Sequence, residues 1–365
     1  MMPYNVIVVG GSVGGLNTAF HAAEHGAEVL VVDRKKQIGI PIRCAEGVTS
    51  KVLKDNNIPP LPELIASEIK KVKMVTPKGR ELALDLKHHK GYVLNRDKFE
   101  EYLAQRCEKR GVQFMLNSLV VGYDQSSIVL KNGKILDAKV IVGADGISSR
   151  VGKWAGIDTD LDSHNYAKCV QYYARDDSFK DGTVEILWQH RCSPSGYAWV
   201  FSKGGDAANV GLGIPGDAVF NARRLLDSFI LERCPDAERI SLTSGRVPLA
   251  RPIEHPVRDN VLLVGDAARY AMAHTGGGIA TALLSGRIAG EVIADHVKYG
   301  TPLSWYETRI KGAIYKKLHR CYNMKRKILE EDWIDEHYWY GRLMVSMHRL
   351  FPGIVERYAF SRIRY

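Results

Sequence analysis

Short runs of Val, Ile and Leu, separated by glycine turns and by stretches with 3.6-residue apolar spacing, set the pattern of the first third of the chain. Tyr4–Val9 is almost wholly apolar, which predicts a strand buried in a parallel sheet. Gly10-Gly11-Ser12-Val13-Gly14-Gly15 follows, and Leu16, Ala19, Phe20 and Ala23 then recur at helical spacing. Residues 28–32 read as a second strand that ends at Asp33. Strand, glycine turn, helix, strand and acid together make one βαβ unit.

The middle of the chain alternates. Residues 68–76, 91–94, 112–116, 120–123, 128–130 and 140–143 read as strands. Residues 97–109 read as a helix with Phe99, Leu103 and Cys107 on one face. From 164 to 214 the pattern is short strands with polar turns, and 218–233 is an amphipathic helix. An apolar strand returns at 260–265, a long helix follows at 279–297, and 301–365 is helical and rich in aromatics. No repeat and no low-complexity linker interrupts this order.

At 365 residues the chain is long enough for two or three domains. With 45% hydrophobic and 25% charged residues it is a globular composition, which excludes disordered and fibrous classes. The net charge is +10, which fits anionic lipid, phosphorylated substrates or an acidic partner and selects none of them. Six cysteines are scattered with no CxxC pair, so a zinc or iron–sulfur site and a metal ligand set are not expected. Scattered thiols in a long chain point to a reducing, cytoplasmic compartment. The first residues lack the basic and apolar regions of a signal peptide, and no window approaches the length of a spanning helix.

The first turn departs from G-x-G-x-x-G at its second position, where Ser12 stands between Gly10 and Gly15. That position lets backbone approach a pyrophosphate, and serine can itself donate to phosphate. Asp33 falls 23 residues after Gly10, near the spacing of an acid that binds ribose hydroxyls. A turn that only permits tight packing is the plainer alternative. Two later segments favour FAD over NAD. One strand runs into Asp145-Gly146, and another ends in Gly265-Asp266-Ala267-Ala268 before Thr275-Gly276-Gly277-Gly278 and a helix. Asp266 can accept from ribityl hydroxyls, and the amides and dipole at that helix start can stabilise charge on a flavin. Asp145-Gly146 taken alone reads as a simple turn.

Here the chain resembles a known family. Gly10 to Gly15, Asp145-Gly146 and Gly265-Asp266 look like the FAD-dependent enzymes built like para-hydroxybenzoate hydroxylase. Pro41-Ile42-Arg43-Cys44-Ala45-Glu46-Gly47 is similar to the P-x-x-C-x-E-G segment of the geranylgeranyl reductase family. Tyr197-Ala198-Trp199-Val200-Phe201 with Gly211-Leu212-Gly213 is similar to that family's Y-x-W-x-F-P and G-x-G motif. The likeness covers roughly residues 4–300. It implies an α/β protein: a Rossmann-like FAD-binding domain with an antiparallel-sheet substrate domain and a helical C-terminal region. The expected boundaries are 1–66, 95–160 and 250–300 for the FAD-binding domain, 67–94 and 161–249 for the substrate domain, and 301–365 for the helical region.

The resemblance implies FAD contacts at Gly10, Ser12, Gly14, Gly15, Asp33 and Arg34, then at Arg43, Cys44, Ala45 and Arg96. Further on it implies them at Asp145, Gly265, Asp266, Gly276, Gly277, Gly278 and Ile279. It implies substrate contacts at Tyr197, Trp199, Phe201, Gly211 and Gly213, with Cys44 and Tyr197 as catalytic candidates; His274, which the family pattern lacks, is a third candidate because it could donate a proton near a flavin. Family members reduce double bonds in geranylgeranyl chains of archaeal membrane lipids or of chlorophyll and quinone precursors, and the Cys-Ala-Glu-Gly version suits the lipid enzymes better. The residues themselves leave plainer readings: alternate aromatics also serve sheet packing, Cys44 also reads as a small buried residue, and Arg43, Arg96 and His274 also read as structural or solvated. Three departures stand out: Ser12, Ser202 where the family has Pro, and Met272-Ala273-His274 where Asn-Pro is usual. The C-terminal region is also short for the family.

Residues 301–365 carry thirteen basic and seven acidic residues, and 316–327 holds six basic residues and no acidic one. Such a segment suits an anionic membrane surface on the inner face of the cell membrane or an acidic electron donor such as ferredoxin; NAD(P)H is the other candidate reductant. A solvated helix face is the plainest reading of the charges, and nothing supports nucleic-acid binding. The expected activity is FAD-dependent saturation of C=C bonds in polyprenyl chains of ether lipids. The alternatives are a flavin monooxygenase on the same scaffold and a non-catalytic prenyl-lipid escort.

Overall fold

A computed structural model describes residues 4–86, 91–328 and 333–350. The chain forms two units, each assembled from three stretches. The first comprises Met1–Pro41, Asp97–Asp162 and Val247–Asn323; the second comprises Ile42–Arg96, Ser163–Arg246 and Met324–Tyr365.

The first unit is built on an eight-stranded sheet. Its parallel centre runs Val261–Leu263, Ile135–Gly143, Tyr4–Val9, Val29–Val32 and Gln113–Met115. Val6 lies opposite both Val140 and Val29, and Ile7 and Val8 are fully buried, as a strand covered on both faces must be. The helices Val13–Glu24 and Ile279–Tyr299 pack against each other through two glycines. A Cβ on Gly286 would stand 2.6 Å from the Gly14 carbonyl oxygen, and one on Gly290 would stand 2.6 Å from His21 Cβ. Asn17 Nδ2 donates to the Leu283 carbonyl at 2.6 Å and fixes the register of the pair.

The second unit holds a seven-stranded sheet in the order Glu238–Pro248, Tyr166–Arg175, Ala207–Pro215, Tyr197–Ser202, Thr183–Leu187, Lys71–Val75, Glu81–Asp85. From Tyr166–Arg175 to Glu81–Asp85 the neighbours pair antiparallel, except Thr183–Leu187 with Lys71–Val75, which is parallel. The helix Ala222–Arg233 covers one face with Leu226, Phe229 and Ile230, which meet Val170, Tyr172, Val200, Val210 and Leu212. A smaller sheet pairs Gly47–Thr49 and Ile65–Ile69 with Gly91–Leu94.

Four differences from the sequence reading have local causes. The run 68–76 is two strands, because the chain changes sheets at Lys70, whose amide donates to the Gly182 carbonyl. Residues 42–66 belong to the second unit, since 47–49 and 65–69 pair with 91–94. The amphipathic helix begins at Ala222, where the Asn221 side chain caps it by accepting from Arg224 N at 3.1 Å. The C-terminal region divides after Asn323, and in the second unit Asp335 anchors its final part by accepting from Thr76 Oγ1 at 2.7 Å and Lys78 N at 3.0 Å. Phe351 and the residues after it lie outside the described residues.

His21 sits in the helix pair of the first unit, and burial lowers its pKa to about 4 against the pull of Glu24 and Glu291. Between pH 6.5 and about 4 the unfolded chain binds a proton at His21 that the native chain refuses. Stability from this group is complete above that window and falls as pH falls through it. The full shift is worth roughly 3 kcal/mol. His21→Gln is therefore expected to flatten the loss of thermal stability between neutral pH and about pH 4, measured by melting at a series of pH values.

Candidate functional site

The nucleotide-binding features gather at the carboxyl ends of the parallel strands in the first unit. Gly10 closes the first strand with φ +115, and a Cβ there would lie 2.2 Å from the Ala144 carbonyl oxygen. A Cβ on Gly15 would lie 1.9 Å from the Gly10 carbonyl oxygen, so neither position admits a side chain. Gly14 has ordinary clearance, 3.5 Å to Val264 and 3.7 Å to Ala282, which places the opening turn against the segment that carries Gly265 and Asp266. Ser12 starts the helix without capping it; its hydroxyl donates to Glu100 Oε1 at 2.5 Å. With no side-chain cap and no acid in the first turn, the amides and the positive dipole end are left for an anion.

Asp33 is buried and supports this turn. Its Oδ2 accepts from Gly11 N at 2.6 Å, and its Oδ1 accepts from Lys35 N at 2.8 Å. Each carboxylate oxygen keeps a further lone pair, and Arg34 beside it is exposed. Asp145 has a local duty: Oδ1 accepts from the Ser149 hydroxyl at 2.8 Å and Oδ2 from Val151 N at 3.0 Å, capping the short helix Arg150–Trp154. Burial pushes its carboxyl pKa up, opposed by these bonds.

The second feature of this unit is the loop before the long helix. Met272 N donates to the Gly277 carbonyl and Gly276 N to the Met272 carbonyl, with Gly276 at φ +68. The loop delivers Gly278 as the helix start, again with no side-chain cap and no acid in the first turn. A Cβ on Gly278 would lie 3.2 Å from Asp266 Oδ1, so the carboxylate stands beside the N-terminus that begins at Ile279. His274 Nδ1 is buried with no hydrogen-bond partner. Burial, reinforced by Lys317, lowers its pKa, so the imidazole is neutral near pH 7. Two uncapped helix starts, two glycine cradles and two carboxylates fit a dinucleotide with a flavin end.

In the second unit, the sheet face opposite the helix Ala222–Arg233 carries the aromatic motif. Trp199 lies opposite Gly211 and Tyr197 opposite Gly213. A Cβ on Gly211 would meet Trp199 Cζ2 at 2.5 Å, so the indole leans across this strand. Its Nε1 donates to Gln171 Oε1 at 2.9 Å on the next strand over. Tyr197 stacks obliquely on Trp199 and Trp188, with ring centroids 5.7 and 6.1 Å apart. Gly47 passes over Phe201, where a Cβ would stand 2.9 Å from Cε2.

The Pro-Ile-Arg-Cys loop lies on this same face. Gln171 Nε2 donates to the Cys44 carbonyl at 3.0 Å, and Asn209 Nδ2 donates to the Ala45 carbonyl at 3.4 Å. Glu46 N donates to Cys44 Sγ at 3.2 Å. Cys169 lies opposite Gly213, where a Cβ would stand 3.1 Å from its Sγ. Burial pushes its thiol up to about 12 and pushes the Tyr197 phenol above its ordinary range. Arg43 is exposed against Gly245, and Arg96 N donates to Glu46 Oε1 at 3.0 Å.

Known proteins resemble this chain in sequence and fold. The profile of an FAD-binding domain matches residues 3–196, and that of a geranylgeranyl reductase catalytic domain matches residues 165–247. A digeranylgeranylglycerophospholipid reductase of Methanothrix thermoacetophila is 38% identical over 89% of this chain and 87% of its own length. The chain belongs to the geranylgeranyl reductase family. A crystal structure of a geranylgeranyl bacteriochlorophyll reductase-like protein from Thermoplasma acidophilum superposes with a TM-score of 0.84 at 31% identity, covering 90% of this chain and 88% of that one. A probable FAD-dependent monooxygenase from Pseudomonas aeruginosa shares the fold, with a TM-score of 0.71 at 13% identity, covering 93% of this chain and 99% of its own. This reductase is an FAD-dependent oxidoreductase.

Three polar residues of the reductase escape motif reading, Gln171, Lys203 and Asn209, and Glu46 stands in the motif without a role assigned to it. Gln171 and Asn209 carry a period-two signal, because they fall in register with Gly211 and with Phe201, but that register exists only once strands are paired. Gly10→Ala is expected to yield folded protein without visible flavin absorbance after purification and FAD addition. Its methyl group would meet both a positive φ and the Ala144 carbonyl.

Proposed function

We propose that this reductase saturates isolated carbon–carbon double bonds in the geranylgeranyl chains of a membrane ether lipid. The observation that carries the reading is the aromatic face of Tyr197, Trp199 and Phe201, over which the Cys44 loop is tethered through Gln171. An isoprenoid double bond offers no polar handle, so recognition rests on shape and dispersion against apolar walls. The Trp199 N–H is already satisfied by Gln171, so the indole brings no unmet polar group to this apolar face. FAD, when bound, supplies the two-electron reducing chemistry.

The uncapped starts of the helices Val13–Glu24 and Ile279–Tyr299 would hold its phosphates and the pyrimidine edge of its ring, with Asp33 and Asp266 toward the hydroxyls. Saturation also requires a proton at the second carbon. Tyr197 Oη and Cys169 Sγ keep their protons at working pH because burial disfavours their anions. Cys44 Sγ, oriented by the Glu46 amide, and Tyr197 Oη are the groups on this face that would deliver it. His274 is neutral and serves less well as an acid.

The enzyme would work as a peripheral protein at a membrane surface. No helix among the described residues is long and apolar enough to cross a bilayer. The helix Tyr338–Leu350 instead exposes Trp339, Tyr340 and Leu343 together with Arg342. Exposed aromatics beside basic residues suit the headgroup boundary of an anionic membrane.

Two experiments test these readings. Anaerobic, dithionite-reduced holoprotein mixed with a geranylgeranyl glycerophospholipid is expected to add two hydrogens per bond, read by mass spectrometry of the lipid. Flavin oxidation without any mass gain would refute the substrate. In co-sedimentation with phosphatidylglycerol vesicles, Trp339→Ala combined with Leu343→Ala is expected to weaken binding by about tenfold. Equal binding by parent and variant would refute the membrane contact.

A further inference from the structure

Glu46 is the most completely tied residue of the Cys44 loop. Its backbone is left-handed, with φ +74, a conformation that strains a residue carrying a side chain. Its side chain is 1% exposed. Oε1 accepts from Arg96 N at 3.0 Å, and Oε2 accepts from Lys203 Nζ and from Asn209 Nδ2. Lys203 Nζ donates in addition to the Leu94 carbonyl at 3.0 Å. The Glu46 carbonyl accepts from Leu94 N at 3.0 Å. The one remaining polar group of the residue, its amide, donates to Cys44 Sγ at 3.2 Å.

A buried ion pair is a poor means of gaining stability, because desolvating two charges offsets most of their attraction, and an apolar pair of similar volume does as well or better. What the pair does supply is a fixed direction. Three donors, from the head of a helix, from the strand Ala207–Pro215 and from Lys203 just past the end of the neighbouring strand, converge on one carboxylate and leave it a single orientation. That orientation holds the left-handed backbone, and the left-handed backbone is what aims the amide at the sulfur. On the other side of the loop, Gln171 fixes the Cys44 carbonyl. The thiol is held from both flanks by groups that do not react.

We infer that Glu46, through its buried pair with Lys203, is a positioning residue that fixes the Cys44 thiol of the reductase. The inference rests on the proposal that Cys44 acts at the reaction site, and it adds the machinery that sets the thiol's place. Removing the carboxylate charge leaves Lys203 uncompensated and the strained amide free to swing away from the sulfur.

The test uses FAD-loaded protein and reads alkylation of Cys44 by iodoacetamide through peptide mass spectrometry, which needs no substrate. Glu46→Gln is expected to speed alkylation of Cys44 by about tenfold and to lower kcat for lipid reduction by a similar factor, with KM little changed. Asn209→Ala removes one donor to Glu46 without stranding a charge. It is expected to speed alkylation by about threefold, and it carries the test if Glu46→Gln does not fold. A merely structural carboxylate would lower the melting temperature and leave the alkylation rate of the folded holoprotein unchanged. Alkylation within twofold of the parent in the folded variants overturns the inference. Full reductase turnover by Cys44→Ala would instead overturn the catalytic reading of Cys44, while accelerated alkylation in Glu46→Gln would still support the positioning role.

Discussion

The nucleotide-binding unit depends on how closely two stretches of backbone approach at its opening turn. A methyl group on Gly15 would stand 1.9 Å from the Gly10 carbonyl oxygen, so the first helix begins flush against the strand that feeds it. With the helix start fixed there, the long C-terminal helix can lie against it only where it too lacks side chains, at Gly286 and Gly290. The first turns of both helices then adjoin, as the clearance of 3.7 Å between the Gly14 position and Ala282 records. Each start lacks a side-chain cap and an acidic residue, and a pair of such starts forms a positive pole that anions fill. A glycine spacing thus becomes an anion-attracting pole through packing first and electrostatics second.

The second unit divides its labour by sheet face. Even-numbered positions of the strand Tyr197–Ser202 bury Ala198 and Val200 under a helix and form an ordinary core. Odd-numbered positions carry Tyr197, Trp199 and Phe201 to the other face, where the neighbouring strand presents Asn209, Gly211 and Gly213. The glycines there are recesses into which the indole settles. They also let one side chain reach across a whole strand to Gln171, which in turn holds the Cys44 carbonyl. Gln171 therefore joins the aromatic wall to the thiol loop. A shift of one residue in the pairing would send every one of these groups to the helix side, so the register that stabilises the core also assembles the site.

Much of this was legible from pattern alone. The βαβ opening, the glycine turn and the long helix follow from apolar spacing, because parallel strands buried on both faces and amphipathic helices leave strong local signatures. The positions of Trp199 and Cys44 came from a family resemblance, and spacing alone would not have separated them from core residues. Hidden entirely were the contacts that depend on pairing between distant strands: Gln171 with Trp199, and Asn209 and Lys203 with Glu46. Asp145 carries a second duty that its motif does not announce: both of its carboxylate oxygens accept from the local helix start.

The departures from the family pattern are each absorbed by a neighbour. Ser12 turns its hydroxyl to Glu100, away from the helix start, so a side chain at this position does not spoil the anion pole. Ser202 continues its strand opposite Ala208 and accepts from Gly204 N at 3.3 Å, closing the turn that a proline would have stiffened. His274 is the instructive case, because a histidine beside a flavin loop invites a role as a charged acid. Burial and the nearby Lys317 both oppose its protonation. Burial also lowers Lys317 itself, to about 8, so the lysine still carries a proton near pH 7 while the imidazole does not. Of the two neighbouring bases one bears the charge. At the Gly276-Gly277-Gly278 turn the positive end of the helix dipole therefore stands without help from His274, whose ring is neutral.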